Sequence, residues 1–141
     1  MPTCRLNFSR EVIMGLELQL LAWAAALTVV QALIHTVGVM LQVGMSPLVG
    51  NREGVSELTG WAGRAGRAHR NMLENMVPFA ALVLVGHATG AFNEMTALGA
   101  QIFFWARLAY LVIYIGGIPW ARTALYVISV IGIVLIFAQL V

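Results

Sequence analysis

The residues with chemistry to offer are few, and their spacing groups them. Arg67, Arg70, Asn71 and Glu74 fall at i, i+3, i+4 and i+7, which sets all four on one stripe of an α-helix. Two guanidiniums, an amide and a carboxylate in a row suit a ligand with charged ends, because arginine presents a rigid fork of donors matched to carboxylate or phosphate. Pro78 lies four residues beyond Glu74 and has no N–H for its carbonyl, so a kink is expected just past the stripe. Arginines at the interfacial start of a membrane span snorkel to headgroups, and Arg64 is read as doing only that. A glutamate and an asparagine gain nothing from anionic lipid. The stripe is therefore read as a binding site.

Arg107 is the sharpest single residue, set inside Phe103-Phe104-Trp105-Ala106-Arg107-Leu108-Ala109-Tyr110 with apolar neighbours on both sides. A mid-span arginine costs roughly 2.5–3.5 kcal/mol on insertion scales, so it should face the protein and find a partner. Glu74 is the natural candidate, and the pair is read either as a lock between two helices or as a direct ligand contact. Tyr110 and Tyr114 follow at i+3 and i+7 on the same face. They are interfacial tyrosines on one reading and donors aimed into a cleft on the other. Arg122 and Tyr126 repeat the pattern at i, i+4 in the last span. An arginine near a helix N-terminus opposes the macrodipole, yet the two positive features together favour an anion such as a thiolate or a carboxylate.

Other chemistries find no support. His35 and His87 stand isolated on apolar helices, and His69 sits between the arginines. No pair has metal-ligand spacing with a cysteine or an acid, so no metal is expected. There is no Ser-His-Asp set, phosphate loop or nucleophile elbow. A net charge of +2 without a Lys/Arg run excludes a nucleic-acid partner. Cys4, the single cysteine, excludes an intrachain disulfide and is read as incidental.

The elements that must position these groups follow from composition. Hydrophobic residues make up 60% of the 141, charged residues 10%, and the mean hydropathy is +0.87. Soluble domains carry about 25% charged residues, so the deficit points to lipid. Every base is arginine and every acid glutamate. No charge occurs between Glu17 and Arg52, enough for the roughly 20 apolar residues of a spanning helix. The first span is placed at 18–41 and read as a retained helix, too long for the apolar region of a signal peptide. Residues 42–63, with Gly44, Pro47, Gly50, Asn51, Gly54 and Gly60, read as a loop. A helix that begins polar then spans 72–91, a turn at Gly90–Glu94 leads to a span at 95–115, and a last span covers 120–140. Gly116-Gly117-Ile118-Pro119 joins the last two, with glycine ending one helix and proline opening the next. Short connections imply antiparallel neighbours, hence an all-α four-helix membrane bundle in one domain over 1–141. Arginines around the first loop favour its placement on the cytoplasmic side, in a bacterial cytoplasmic membrane, although Arg5 and Arg10 oppose that assignment.

The segment Arg67-Ala68-His69-Arg70-Asn71-Met72-Leu73-Glu74-Asn75-Met76-Val77-Pro78-Phe79 resembles the second-helix signature of the MAPEG family, the membrane-associated proteins in eicosanoid and glutathione metabolism. Arg107, Tyr110 and Tyr114 give a second match, and Arg122, Thr123 and Tyr126 a looser third. With four spans and a long first loop, the resemblance covers essentially the whole chain. It implies a homotrimer that binds glutathione in clefts between subunits. In that reading Arg67, Arg70, Asn71 and Glu74 hold the tripeptide's charged backbone groups, Tyr110, Tyr114 and Tyr126 add hydrogen bonds, and Arg107 is counted with the residues that bind it. Arg122 matches the arginine that stabilises the thiolate, and Thr123 the hydroxyl beside it. One departure is plain: family synthases carry arginines at the cytoplasmic end of the first helix, where this chain reads Val39-Met40-Leu41-Gln42-Val43.

The function expected is a glutathione-dependent transferase or peroxidase acting on lipophilic electrophiles. The competing expectation is a non-catalytic lipid-binding or scaffold protein of the same fold. A small transporter subunit would need a repeat pattern that the chain lacks.

Overall fold

The computed structural model describes residues 14–51 and 57–141. Cys4, Arg5, Arg10 and the first-loop residues Arg52, Gly54 and Ser56, with the readings placed on them, lie outside that set. The elements run α1 (Leu16–Val43), α2 (Ser46–Val49), α3 (Gly60–Thr89), α4 (Glu94–Gly116) and α5 (Pro119–Leu140). α1, α3, α4 and α5 are each long and apolar enough to cross a membrane, and no strand occurs among the described residues.

Two boundaries correct the sequence reading. The loop expected over 42–63 is shorter, because α2 occupies part of it and α3 already begins at Gly60. The polar stripe and the apolar span lie, as expected, on one helix, and its 30 residues reach back to Gly60. The physical reason is packing: Ala62, Ala65 and Ala68 are buried, and small residues let helices approach closely enough to associate in lipid. Pro78 lies inside α3, which continues through it without a break.

Local chemistry closes the ends. Asn93 caps α4, accepting from the amides of Met95 (2.8 Å) and Thr96 (3.0 Å), while its own amide donates to the Thr96 hydroxyl at 2.8 Å. Gly117 ends α4 in the left-handed region at φ 81° and Pro119 opens α5, as the sequence predicts. The Gln42 amide makes two hydrogen bonds to the backbone of Thr59, at 2.9 and 3.1 Å, and so ties the end of α1 to the start of α3.

α4 and α5 pack most extensively, and two glycines explain why. A Cβ on Gly99 would lie 2.7 Å from the Gly132 carbonyl oxygen, and one on Gly132 would lie 2.6 Å from the Gly99 oxygen. The two backbones touch there. α1 lies antiparallel against α3, with Gly38 over Ala62 at one level and His35 over Gly66 at the next. Phe79 and Phe103 stack at 3.9 Å between α3 and α4 and fill the middle of the core. Large apolar side chains remain exposed along all four long helices, among them Leu33, Val77, Trp105 and Val134, as lipid-facing surfaces require.

Candidate functional site

The α3 stripe forms as its spacing dictates, and its members diverge in environment. Arg67, Arg70 and Glu74 are exposed, whereas Asn71 is half-buried and turned toward α4. There it meets Arg107, which is only 1% exposed and whose Nη1 donates to Asn71 Oδ1 at 2.6 Å. This corrects the expected Arg107–Glu74 pair. Both α3 residues lie on the stripe, but a helix turns about 100° per residue, so they point about 60° apart. The rotation of α3 aims Asn71 at α4 and leaves Glu74 outside.

The rest of the Arg107 environment is aromatic. Its guanidinium carbon lies 5.5 Å from the Phe103 ring centre, 5.4 Å from Tyr110 and 5.6 Å from Tyr126. Rings at such distances stabilise a cation by their quadrupoles without satisfying its N–H groups. Nε and Nη2 are buried and have no hydrogen-bond partner among the described residues. A buried guanidinium with two unpaired donors is costly, which is the pattern expected of a group reserved for something else.

Beside Arg107, α5 contributes its first turns. Arg122, Thr123 and Tyr126 join Asn71 of α3 and Tyr110 of α4 around a cavity of about 190 Å³. The Arg122 guanidinium sits 4.9 Å from the centre of the Tyr114 ring, and Tyr114 in turn lies 5.3 Å from Tyr110. Tyr114 thus steers Arg122 rather than lining the cavity. The Thr123 hydroxyl donates back to the Pro119 carbonyl at 3.2 Å, which leaves its lone pairs free.

Arg67 and Arg70 line a second cavity of about 320 Å³ together with His35, Glu57, Gly63 and Gly66. It lies on the other side of the α3 stripe, between α3 and α1. Glu74 lines neither cavity. Of the predicted residues, Arg67 and Arg70 thus line one cavity and Asn71, Tyr110, Arg122, Thr123 and Tyr126 another, while Arg107 and Tyr114 stand beside the second.

Two sequence assignments change. Arg64 does not simply snorkel: its Nε donates to the Ile115 carbonyl at 2.9 Å, capping the C-terminal end of α4 where a positive charge also favours the helix dipole. His35 is not isolated, since it lies against the α3 backbone and faces the arginines. A hint was available, because an imidazole in an apolar span is expensive unless it has a polar neighbour. Among the described residues no three His, Cys, Asp or Glu side chains assemble as a metal site.

The family model described as the MAPEG family matches residues 13–141. No curated protein and no solved structure gives a match.

Proposed function

The chain belongs to the MAPEG family and is an integral multi-pass membrane protein related to glutathione and eicosanoid metabolism, and from that premise we propose that it is a glutathione-dependent transferase or peroxidase for lipophilic electrophiles. The observation that carries this reading is the cavity lined by Asn71, Tyr110, Arg122, Thr123 and Tyr126 from three helices, three of which also contact the buried Arg107. The charged side chain lining it, Arg122, is a cation and the phenols beside it are donors, so an anionic or electron-rich ligand fits and a cation does not.

Glutathione supplies two carboxylates and a thiol. Arg67, Arg70, Asn71 and Glu74 hold its charged backbone groups along the α3 stripe, and Tyr110, Tyr114 and Tyr126 support its polar contacts. Arg122, at the positive end of α5, favours the thiolate over the thiol, because a neighbouring positive charge stabilises the anion. The thiolate sulfur attacks the electrophilic carbon, the S–C bond forms as the leaving group departs with its electron pair, and the thiol proton passes to water. With a hydroperoxide the thiolate attacks the terminal oxygen, the O–O bond breaks and the alcohol leaves with a proton, and the resulting sulfenic acid reacts with a second glutathione to give the disulfide and water. The apolar partner arrives through lipid along the exposed helix faces. Ligand sites commonly measure roughly 300–1,000 Å³. The cavity at Arg122, at about 190 Å³ in one subunit, is small against that range. This supports completion by a neighbour in a homotrimer.

The decisive experiment is conjugation of glutathione to an aryl halide by the purified protein in detergent, with a hydroperoxide as the parallel substrate. Turnover with either one, lost in Arg122→Ala, is the expected result. Absence of glutathione binding at millimolar concentration defeats the enzyme reading and favours the lipid-binding or scaffold alternative.

A further inference from the structure

His35 belongs to none of the roles above, yet the α1–α3 cavity is built around it. The imidazole lies directly on the α3 backbone at Gly66, where an added Cβ would come within 2.7 Å of its Cε1 and 2.8 Å of its Nδ1. Only glycine leaves room for the ring at that level. From this position His35 lines the cavity together with Arg67 and Arg70.

The two ring nitrogens are not equivalent. Nδ1 is buried and has no hydrogen-bond partner among the described residues. Which nitrogen of a neutral imidazole carries the proton is set by the partner available to the other. His69 lies near, with its own Nδ1 likewise buried and without a partner among the described residues. A buried N–H left without an acceptor is rarer in proteins than an unpaired acceptor, so the His35 proton is assigned to Nε2. Nδ1 then keeps a bare lone pair, and the nitrogen left for the cavity is a donor. The wall therefore presents one imidazole N–H and two guanidiniums, all of them donors. Among the described residues the one acid that lines the cavity is Glu57, which is exposed.

We propose that His35 is a ligand-binding residue whose Nε2–H, fixed by the burial of Nδ1 against Gly66, donates to a carboxylate held by Arg67 and Arg70 in the α1–α3 cavity. The identity of that carboxylate as one of glutathione's two rests on the function proposed above; the donor role of His35 does not. A residue of α1, a helix that carries no arginine, thereby supplies a contact from within the same subunit.

The test exploits the shapes of two amides. A glutamine places its amide nitrogen near the reach of Nε2, an asparagine near that of Nδ1, and a phenylalanine keeps the ring on Gly66 with no donor at all. Dissociation constants for glutathione, and for glutarate as a plain dicarboxylate, are measured by calorimetry on wild type, His35→Gln, His35→Asn and His35→Phe. Wild type and His35→Gln are expected to bind alike, with His35→Asn and His35→Phe weaker by about tenfold, the size of one hydrogen bond to a charged group. Nitrogen-15 spectra of histidine-labelled wild type, which need no variant to fold, should show the Nε2–H tautomer in the free protein and a shift of that nitrogen when ligand is added. Undiminished binding by His35→Phe, or an Nδ1–H tautomer, overturns the proposal. Glutarate binding that follows the same variant order while glutathione fails to bind wild type sustains it and removes the glutathione reading instead. Failure of both ligands to bind wild type overturns both.

Discussion

The two ends of the bundle handle their polar groups in opposite ways. At the end where α1 and α4 begin, Glu17 is 5% exposed and Thr96 fully buried, and the Thr96 hydroxyl donates to the Glu17 carboxylate at 2.6 Å. Asn93 caps α4 there and its side-chain amide reaches Gln139 of α5 at 3.0 Å. Three long helices are joined by groups that satisfy one another. Toward the other end, among the described residues, Arg107 uses one N–H on Asn71 and leaves two nitrogens unpaired, His35 leaves Nδ1 unpaired, and Arg67 and Arg70 line an open cavity. Buried polar groups cost little when paired and several kcal/mol when not. The first end therefore reads as a structural clamp and the second as a site held ready for a ligand. In a membrane protein the pairing of polar groups, more than their presence, separates the two roles.

This contrast can be broken most easily where the expected effect is largest. Arg122→Ala should lower conjugation turnover about 10²–10³-fold, the usual result of removing one group that stabilises a developing anion. Its affinity for glutathione should change by much less. A steady-state assay that finds equal turnover in wild type and variant removes Arg122 from the mechanism. Arg107→Met sharpens the comparison further. A thioether of similar reach needs no hydrogen bonds, so thermal unfolding in detergent should show stability unchanged or raised by about 1–3 kcal/mol. Glutathione affinity should meanwhile fall. Loss of stability in this variant would assign Arg107 to the scaffold.

The clamp end should behave in reverse. Thr96→Val keeps the shape, strands the Glu17 carboxylate and removes half of the α4 capping box, for an expected loss of about 1–3 kcal/mol in stability with kcat/KM unaltered. A drop in kcat/KM without a drop in unfolding temperature contradicts the division proposed here. The smallest effects belong to the exposed stripe. Arg70→Ala or Glu74→Ala should weaken glutathione binding by about tenfold through one lost charge-assisted contact, with kcat nearly constant in saturating ligand.

Much of this protein is legible in its residues. The long, largely apolar runs fix four helices, since backbone groups in lipid must pair within their own segment. Gly117 and Pro119 fix the α4–α5 connection, because a left-handed end and a first-turn proline are local chemistry. Helical periodicity alone groups Arg67, Arg70, Asn71 and Glu74. What no local rule supplies is the rotation of each helix about its own axis. The helices are apolar nearly all round, so the amphipathic contrast that orients helices in water is weak.

Contacts between small residues decided that rotation instead. Gly99 against Gly132 set α4 and α5 face to face, and His35 over Gly66 set α1 against α3. In the packing that includes them, Arg107 meets Asn71 and not Glu74, Arg64 caps α4, and His35 shares a cavity with Arg67 and Arg70. Sequence alone determined which groups share a helix face. Only the tertiary structure determined which face meets which, because close packing between helices depends on residues far apart in the chain.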